Sequence, residues 1–359
     1  MNLRIVLCVN TFLPRVGGIE NIADMMAHAL AIGGDEVTVL TMHDGPSMPD
    51  RAYRLVRRPD PITIFRACRA ADAVIMPNIG LKMVSPVIAA STPLFVWHQH
   101  EFWVSGLPDR QQTFPTRLKG WLIRHYVAAN FGCSDFITEK LPSGRPKATL
   151  LNPYDVDMFY EEENASRNGD ILGLGRLVEE KGFQIVLKAM ALPDGPLRDA
   201  RLSIVGEGPY ERDLQDLAAS LRIADRVNFL GAQRGHELRR TLNAHRVLAV
   251  PSLWDEPFGI VALEGLACGC ATVVSNVGGL PQAIGGLGWA FERGNVVDAA
   301  NVLAAARRGP RDPSPAARRA HLSSRGSDAV AREIRELMLP YLKRTPSGPE
   351  AGGPHIRAG

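Results

Sequence analysis

The sequence predicts an α/β protein with two domains, each built on a parallel sheet, and three observations support this class. The chain has 359 residues, which is too many for one ordinary core and about right for two. Apolar, β-branched runs alternate with helical patterns along the chain, as in parallel α/β units. A polar stretch without periodicity, Asp155–Asp170, separates the two halves and marks the domain boundary.

The first half begins with a strand almost at its first residue and continues with a long helix. That helix is expected over Ile19–Ala31, because its apolar residues share one face, and Gly33 and Gly34 end it. Later strands are predicted where short apolar runs lie between polar segments. The predicted strands are Arg4–Val9, Glu36–Leu40, Ala73–Met76, Leu94–Trp97 and Phe131–Cys133.

The second half repeats the alternation of strands and helices more regularly. Its strands are nearly continuous apolar runs, which indicates a sheet covered by helices on both faces. The predicted strands are Ile171–Leu174, Arg201–Val205, Val227–Leu230, Val247–Val250 and Thr272–Val274. The predicted helices are Phe183–Met190, Glu211–Leu221, Glu237–Asn243, Ile260–Cys268 and Val296–Ala305.

These elements divide the chain into two domains and a C-terminal segment. We place the first domain at residues 1–160 and the second at residues 161–320. Within residues 321–344, Ser327–Leu342 has the pattern of an amphipathic helix. Residues 345–359 are rich in Gly and Pro, and we expect them to be disordered.

The composition is that of an ordinary globular protein, with 45% hydrophobic and 22% charged residues. The 41 Lys and Arg residues against 38 Asp and Glu residues give a net charge of +3, which gives no support to a nucleic-acid partner. No apolar run is long enough to span a bilayer, and no secretory signal precedes the first strand. We therefore expect a cytoplasmic protein.

The cysteines are odd in number and scattered, which indicates reduced thiols rather than disulfides. Cys268 and Cys270 have a spacing that a metal site can use, but no second pair of Cys or His lies near them. We expect them to be small buried side chains, and we predict no metal site. The five cysteines are Cys8, Cys68, Cys133, Cys268 and Cys270.

The most informative segment of the chain runs from Glu256 to Glu264 and places two carboxylates around a Pro-Phe-Gly turn. If a helix begins near Gly259, its free N–H groups face the same space as both carboxylates. Such N–H groups attract phosphate, and carboxylates accept hydrogen bonds from sugar or ribose hydroxyls, so the segment suits a sugar nucleotide. A capping Glu and a solvated helical Glu explain the segment equally well.

The rest of the second half resembles the retaining glycosyltransferases of family 4, which have the GT-B fold. The resemblance covers about residues 170–305 and depends on the order and spacing of several short motifs. It implies two Rossmann-like domains that face each other across a cleft, with the active site between them and the last helix packed back on the first domain. The motifs are Gly175–Gly182, Ile204–Pro209, Val227–Gly231, Val250–Ser252, Glu256–Glu264 and Asn276–Pro281.

Arg176 and Lys181 follow a glycine-rich strand end, where two cations can neutralise a departing diphosphate. Taken alone, they fit surface charges that balance Glu179 and Glu180 better. The family's phosphate-clamping Arg and Lys align with these two positions. The resemblance therefore implies a catalytic role for both side chains.

The resemblance also implies roles for the segment from Glu256 to Glu264. Glu264 would accept hydrogen bonds from ribose hydroxyls, and Glu256 would hold the sugar as part of the catalytic site. The backbone N–H groups of Phe258, Gly259 and Ile260 would help Glu256 to bind the donor.

Two further glycine-rich loops follow strands at the edge where an open α/β sheet binds ligands. Gly206, Glu207 and Gly208 lie between a strand and a helix, and we expect them to line the donor site rather than form a plain turn. Gly17 and Gly18 open the first long helix, where phosphate or a sugar hydroxyl can approach the backbone closely.

Two histidines, His98 and His100, directly follow a predicted strand and lie at the same kind of edge. A single histidine there is more often structural, but Glu101 and Trp103 follow closely and favour a site. The family places an active-site histidine after the matching strand, which implies that His98, more than His100, is catalytic. His100, Glu101 and Trp103 are candidates for the acceptor side.

One position departs from the family pattern within the matched region. The family often has Glu after the Gly-Gly-x-Pro turn, where this chain has Gln282. The amide keeps the capacity to form hydrogen bonds but loses the negative charge.

Two groups of basic residues in the first half could touch an anionic membrane surface, where a lipid-linked acceptor would lie. Ordinary solvated charge explains both groups more simply, and a peripheral membrane contact is the alternative. The groups are Arg51, Arg54, Arg57, Arg58, Arg66 and Arg69, and then Arg117, Lys119 and Arg124 beside Trp121, Leu122, Ile123 and Tyr126.

We therefore expect a retaining hexosyl-type glycosyltransferase that moves a sugar from a nucleoside-diphosphate sugar to a hydroxyl acceptor. The acceptor would be a glycan, a lipid-linked glycan or a small molecule, and no cofactor is expected besides the donor. No Asp-x-Asp stands at a predicted strand end, which agrees with a metal-independent reaction. Two alternatives stay open: a nucleotide-sugar epimerase of the same fold, and a non-catalytic sugar-nucleotide-binding subunit.

Overall fold

A computed structural model describes residues 2–15, 17–100, 114–309 and 314–342 of the chain. Within these residues the strands form two sheets, and the pairings in both sheets are parallel. Helices lie between most successive strands, so the predicted α/β class with two parallel sheets is confirmed. The segment 345–359, predicted to be disordered, lies outside the described residues.

The first sheet has seven strands in the order β3-β2-β1-β4-β5-β6-β7, so the strand order reverses direction between β1 and β4. Its strands are β1 (Arg4–Val9), β2 (Glu36–Thr41), β3 (Arg54–Arg57), β4 (Ala73–Pro77), β5 (Leu94–His98), β6 (Val127–Gly132) and β7 (Lys147–Thr149). The helices of this half are α1 (Gly18–Ile32), α2 (Pro61–Ala70), α3 (Leu81–Ala89), α4 (Phe114–Tyr126) and α5 (Asp135–Glu139).

The second sheet has six strands in the order β10-β9-β8-β11-β12-β13, with the corresponding reversal between β8 and β11. Its strands are β8 (Gly169–Leu174), β9 (Leu202–Val205), β10 (Val227–Gly231), β11 (His245–Val250), β12 (Ala271–Ser275) and β13 (Trp289–Phe291). Its helices are α6 (Phe183–Met190), α7 (Glu211–Ser220), α8 (Gly235–Ala244), α9 (Ile260–Ala267), α10 (Leu280–Ala283) and α11 (Val296–Arg308).

Two C-terminal helices, α12 (Pro315–Ser324) and α13 (Ser327–Met338), follow the second sheet. The apolar face of α13, with Val330, Ile334 and Met338, is buried in the hydrophobic cluster that contains the first sheet's β1 residues and α1. Arg335 of α13 also pairs with Asp35 at 3.1 Å. The last described helix is therefore attached to the first half of the chain.

The strands that the sequence pattern does not predict lie at the edges of the two sheets. β3 and β7 are the outer strands of the first sheet, and β13 is an outer strand of the second. Edge strands are short and need less apolar surface than central strands, so their hydrophobic pattern is weak. β3 has Arg54 and Arg57 at its two ends, which explains why only a basic cluster is visible there in the sequence.

One central strand also differs from its predicted bounds. β6 begins at Val127 rather than at Phe131 and ends at Gly132 rather than at Cys133. The added residues include two alanines and Asn130, which have low β propensity in general, and burial on both faces overrides that preference here. Helices α2, α3, α4 and α12 also lie outside the predicted elements.

The carboxyl ends of the central strands carry most of the predicted site residues. The loops after β8, β9, β11 and β12 contain the donor-side candidates, and the loops after β1 and β5 contain those of the first half. Ligands of open α/β sheets bind at such ends, next to the point where the strand order reverses. Among the described helices, none is both long enough and apolar enough to cross a membrane.

Candidate active site

A salt bridge between Lys181 and Glu256 forms the centre of the donor-side region. Lys181 follows β8, and Glu256 follows β11, so the pair lies where the strand order of the second sheet reverses. The ammonium group donates to Glu256 Oε1, and the Ser252 hydroxyl donates to the same oxygen at 2.6 Å. The ring centroid of Trp254 lies 5.7 Å from Lys181 Nζ.

The second carboxylate oxygen of Glu256 stays available for a ligand. Among the described residues, no group donates a hydrogen bond to Oε2, whereas Oε1 accepts two. The side chain is buried, so its orientation is set by Lys181 and Ser252 rather than by solvent. This carboxylate can therefore accept a hydrogen bond from a hydroxyl group of a bound sugar without losing its present partners.

The backbone around Glu256 is held by the turn that follows β12. The N–H of Gly279 donates to the Glu256 carbonyl at 2.7 Å, and Ser275 Oγ donates to the Ser252 carbonyl at 2.6 Å. Gly278 has a φ of +53°, and a Cβ there would collide with the Glu256 backbone. The glycine at position 278 is therefore required by close backbone approach as well as by its conformation.

Arg176 stands on the same strand end as Lys181 but has a different environment. Its side chain is exposed, and it forms no ion pair with any residue in the described ranges. The loop that carries both cations ends at Gly182, which has a φ of +76°. A Cβ added at this position would collide with the Pro251 carbonyl. An unpaired guanidinium close to an anchored ammonium group is an arrangement that suits a diphosphate.

The Gly206–Gly208 turn supports the loop of Arg176 through backbone hydrogen bonds. The N–H of Leu177 donates to the Glu207 carbonyl at 3.0 Å, and the N–H of Tyr210 donates to the Leu177 carbonyl at 2.9 Å. The Glu207 side chain itself is exposed. The turn after β9 therefore fixes the position of the predicted phosphate-binding loop after β8.

The helix start predicted near Gly259 is confirmed, since α9 begins at Ile260 with Gly259 as its N-cap. Phe258 is buried and anchors the loop, while the side chain of Leu280 fills the space beside Gly259. No described residue accepts a hydrogen bond from the backbone N–H groups of Phe258, Gly259 or Ile260. These donors can bind an anionic or hydroxyl-rich ligand beside Glu256.

Glu264 lies in the second turn of α9 and is half-buried. Burial raises the pKa of its carboxyl to about 7, and the negative charge of Asp155 raises it further in the same direction. In the described part of the chain, no side chain or backbone group donates to this carboxylate. A ribose with two hydroxyl donors would supply the hydrogen bonds that Glu264 lacks in the free protein.

The loop after β1 presents glycine backbone at the start of α1. Gly17 is the N-cap residue of this helix, and a Cβ on Gly17 would meet the carboxylate of Glu20. Glu20 is buried and accepts a hydrogen bond from Thr11 Oγ1 at 2.6 Å. A Cβ on Gly18 would meet no atom within 4 Å, so the space beside this backbone is open to a ligand.

His98 is the last residue of β5, and its side chain is fully buried. Its Nε2 lies 2.9 Å from Oδ1 of Asn130, a buried residue of the neighbouring strand β6. Burial lowers the pKa of the imidazole to about 4, so the ring is neutral near pH 7. The catalytic role of His98 stays a prediction, and this environment describes a neutral, oriented ring.

His100 is half-buried, so it is more accessible than His98. Burial lowers the pKa of its imidazole, and the positive charge of Lys119 on α4 lowers it as well. Glu101 and Trp103, the other acceptor-side candidates, lie outside the described residues. The acceptor side therefore stays a prediction.

The cysteines are all buried and free, as expected for small core side chains. Within the described ranges, no three His, Cys, Asp or Glu side chains are grouped in a way that could hold a metal ion. The metal independence of the reaction is not tested by this finding and stays a prediction.

The basic groups of the first half have mixed environments. Arg51 pairs with Asp24 at 2.8 Å, and Arg57 donates to three backbone carbonyls, so these two cations support the local fold. On α4, Trp121 and Tyr126 are 47% and 46% exposed. Arg54, Arg58, Arg66 and Arg69 are also exposed, so both groups reach solvent, and the membrane contact stays the alternative to ordinary solvated charge.

Ser252 and Ser275 are site residues that the sequence pattern did not single out for a role. Ser252 orients the Glu256 carboxylate, and Ser275 holds the backbone of Ser252. Both lie at or just after the carboxyl end of a buried strand. A small hydroxyl residue at that position is the signal that could have identified them.

The comparison with protein families matches residues 158–318 to the model described as glycosyl transferases group 1. This range contains Arg176, Lys181, Glu256 and Glu264. It also contains the whole second sheet, from β8 to β13.

Curated relatives extend the similarity into the first half of the chain. A glycogen synthase of Mycobacterium tuberculosis is 30% identical over 73% of this chain and 61% of its own length. A GDP-mannose-dependent monoacylated alpha-(1-6)-phosphatidylinositol monomannoside mannosyltransferase of Corynebacterium glutamicum is 27% identical over 78% of this chain and 82% of its own length. The chain spans 41% to 61% of the length of the first curated relatives that it matches.

Among solved structures, the chain is similar to HepE of Anabaena in complex with UDP and glucose. The TM-score is 0.72, and the match covers 95% of this chain and 100% of HepE at 17% sequence identity. At this identity the likeness shows a shared fold, with two sheets arranged as in HepE.

Proposed function

Because residues 158–318 match the model of the glycosyl transferases of group 1, we propose that the chain moves a sugar from a nucleoside-diphosphate sugar to a hydroxyl acceptor. The proposed reaction retains the anomeric configuration. The observation that carries the proposal is the Lys181–Glu256 contact at the reversal point of the second sheet, on the loop that also carries the exposed Arg176. Cations for a diphosphate and a carboxylate for a sugar hydroxyl lie next to each other there.

The two cations would stabilise the charge that builds on the diphosphate as the sugar departs. Glu256 pairs with Lys181, and Arg176 forms no ion pair with any residue that the structure describes. A bound diphosphate would attract both cations, and its charge increases when the glycosidic bond breaks. Preorganised cations act more strongly on the transition state than on the bound donor, which is the main catalytic contribution in this proposal.

Two glutamates and one helix start would hold the remainder of the donor. Glu256 Oε2 would accept from a sugar hydroxyl, and the N–H groups at the start of α9 would donate to the same ligand. Glu264 would accept from the ribose hydroxyls. These groups belong to the continuous segment from Glu256 to Glu264, so the proposed sugar and ribose contacts would come from one short stretch of chain.

The relatives suggest which donors should be tested first. HepE is described in complex with UDP and glucose, and the mannosyltransferase is described as GDP-mannose-dependent. We therefore propose UDP-glucose and GDP-mannose as the first donors for this chain. The proposed acceptor is a hydroxyl group of a glycan, a lipid-linked glycan or a small molecule. Candidate acceptors can be screened once a donor that binds has been found.

Product analysis tests the proposed reaction directly. The purified protein is incubated with a donor that it binds, with and without candidate acceptors, and the products are resolved by nuclear magnetic resonance. The proposal expects a new glycoside with the anomeric configuration of the donor, formed only when acceptor is present. Conversion of the donor into its epimer without acceptor would overturn it.

Nucleotide affinity should depend on pH through Glu264. The carboxylate form accepts ribose hydrogen bonds, and its pKa is about 7, so about nine-tenths is ionised at pH 8 and about one-tenth at pH 6. We expect affinity for the preferred nucleoside diphosphate to fall about tenfold from pH 8 to pH 6 by calorimetric titration. The Glu264→Gln variant is the control, since any pH dependence of affinity that remains in it comes from protonation of the nucleotide phosphates. An equal pH dependence in both proteins would contradict this role.

Transfer activity should survive exhaustive chelation. In this proposal, Arg176 and Lys181 supply the positive charge that the leaving diphosphate requires. The initial rate in excess EDTA is expected to equal the untreated rate within about twofold, since no charge-stabilising donor is lost. Activity that disappears with chelator and returns only with Mg²⁺ or Mn²⁺ would contradict this expectation.

A further inference from the structure

The two halves of the chain contact each other next to the donor-side region. The turn after β6 presents Ser134, whose hydroxyl donates to the carbonyl of Pro257 at 2.5 Å. The next residue, Asp135, donates its backbone N–H to Oε1 of Gln282 at 2.7 Å. In return, Nε2 of Gln282 donates to Oδ2 of Asp135 at 2.8 Å. The first half therefore forms hydrogen bonds with both the Pro257 loop and α10.

This solvent-exposed contact uses the amide at position 282 in a way that a carboxylate could not reproduce. Its oxygen accepts from a backbone N–H and its nitrogen donates to a carboxylate, so both ends of the amide are used. Thr149 donates to the other oxygen of Asp135 at 2.5 Å, which fixes the orientation of that carboxylate. A glutamate at position 282 could not donate and would face a second negative charge. This explains the departure from the Glu that is common after the Gly-Gly-x-Pro turn.

The same short segment also holds Glu256. Gly279 donates to the Glu256 carbonyl at 2.7 Å, and Gln282 lies on α10, for which Gly279 is the N-cap. Pro257, which accepts from Ser134, is the direct neighbour of Glu256 in the chain. If the first half moved at this contact, Glu256 would therefore move with it. One connection runs through Pro257, and the other runs through α10 and Gly279.

We propose that Asp135 and Gln282 form an interdomain clasp that sets the position of the Glu256 loop relative to the first sheet. Both are positioning residues, since neither belongs to the groups assigned to the donor. The contact itself is independent of the chemistry of the site, whereas its effect on turnover rests on the proposed function. The clasp is complementary in charge only when one partner is an amide and the other is a carboxylate.

Three variants test the clasp, and a fourth is their control. The three remove the hydrogen bonds of the clasp, introduce charge repulsion, or exchange the amide and the carboxylate. Gln282→Ala removes the side-chain hydrogen bonds, and Gln282→Glu places two carboxylates face to face. Asp135→Asn combined with Gln282→Glu exchanges the amide and the carboxylate and restores their complementarity. Gln215→Glu is the matched control, because Gln215 also donates to a carboxylate, that of Glu211, but within helix α7.

The readout that does not depend on activity is hydrogen–deuterium exchange of the peptide that contains Asp135. We expect faster exchange in Gln282→Ala and in Gln282→Glu at pH 8, and the wild-type rate in the exchanged double variant and in Gln215→Glu. Unchanged exchange in Gln282→Glu, or no recovery in the double variant, would overturn the clasp.

Steady-state kinetics with the preferred donor then test positioning. Losing one or two such hydrogen bonds is expected to lower kcat/KM about twofold to tenfold in Gln282→Ala and Gln282→Glu at pH 8. The exchanged double variant should recover most of the loss, and Gln215→Glu should match the wild type. If exchange responds as expected while kcat/KM does not change in any variant, the positioning role is wrong although the contact exists. Complete absence of transfer in the wild type would instead refute the proposed function and leave the exchange result intact.

Discussion

Replacing Lys181 by alanine is expected to lower kcat by about 10²-fold or more at saturating donor, the size of effect seen when one charge-stabilising donor is lost. The ammonium group donates to Glu256 and lies 5.7 Å from the ring centroid of Trp254, so it is held in place for a charge that develops beside it. Arg176→Ala should have a similar effect, because Arg176 is an exposed cation on the same loop and has no ion pair among the described residues. Initial rates with the preferred donor measure both.

A second lysine of the same domain provides the control for this experiment. Lys188 is exposed on α6, and Lys188→Ala removes the same charge away from the strand ends. That variant should keep the wild-type kcat. If Lys181→Ala and Arg176→Ala also kept kcat near the wild-type value, the two residues would not stabilise the leaving group.

Alanine substitutions of the two glutamates in the donor segment are expected to weaken the binding of different ligands. Glu264→Ala should weaken binding of both nucleoside diphosphate and sugar nucleotide, since a ribose contact exists in both ligands. Glu256→Ala should weaken the sugar nucleotide only. Loss of one charge-assisted hydrogen bond costs about 1.5–3 kcal/mol, which is roughly ten- to 150-fold in affinity.

The structure also predicts the direction in which Glu256→Ala changes the affinity for plain nucleoside diphosphate. Glu256 neutralises Lys181 in the free protein, so its removal leaves an ammonium group that can bind phosphate without competition. Affinity for nucleoside diphosphate should therefore be unchanged or higher in Glu256→Ala. Calorimetric titration at pH 8, where Glu264 is ionised, compares both variants with both ligands, and each variant is the control for the other. Equal losses for both ligands in Glu256→Ala would show that Glu256 does not contact the sugar.

Much of the donor segment could be predicted from local sequence. The start of α9 at Ile260 follows from Gly259 and the preceding Pro-Phe-Gly turn, and the strand before it follows from an unbroken apolar run. The roles of Arg176 and Lys181, in contrast, came from resemblance, because their local pattern favours surface charges. The edge strands β3, β7 and β13 could not be predicted, since their stability comes from pairing rather than from their own apolar pattern.

Contacts between distant segments were not visible in the sequence. The partners Lys181 and Glu256 are 75 residues apart, and they meet only because β8 and β11 are neighbours in the sheet. Nor does local pattern show that Gln282 faces Asp135, which is 147 residues away. The departure at position 282 could be noticed in the sequence, but the carboxylate that Gln282 contacts lies in the other half of the chain.

The most direct test of the central claim is the unfolding temperature of the purified protein with a panel of nucleoside-diphosphate sugars. One donor is expected to stabilise the wild type, by about 2.7 kcal/mol at 100 times its Kd, because it binds only the folded state. The same donor should give much less stabilisation in the Arg176→Ala, Lys181→Ala double variant. No stabilisation by any sugar nucleotide, or equal stabilisation in the wild type and in the double variant, would contradict a donor site built on these two cations.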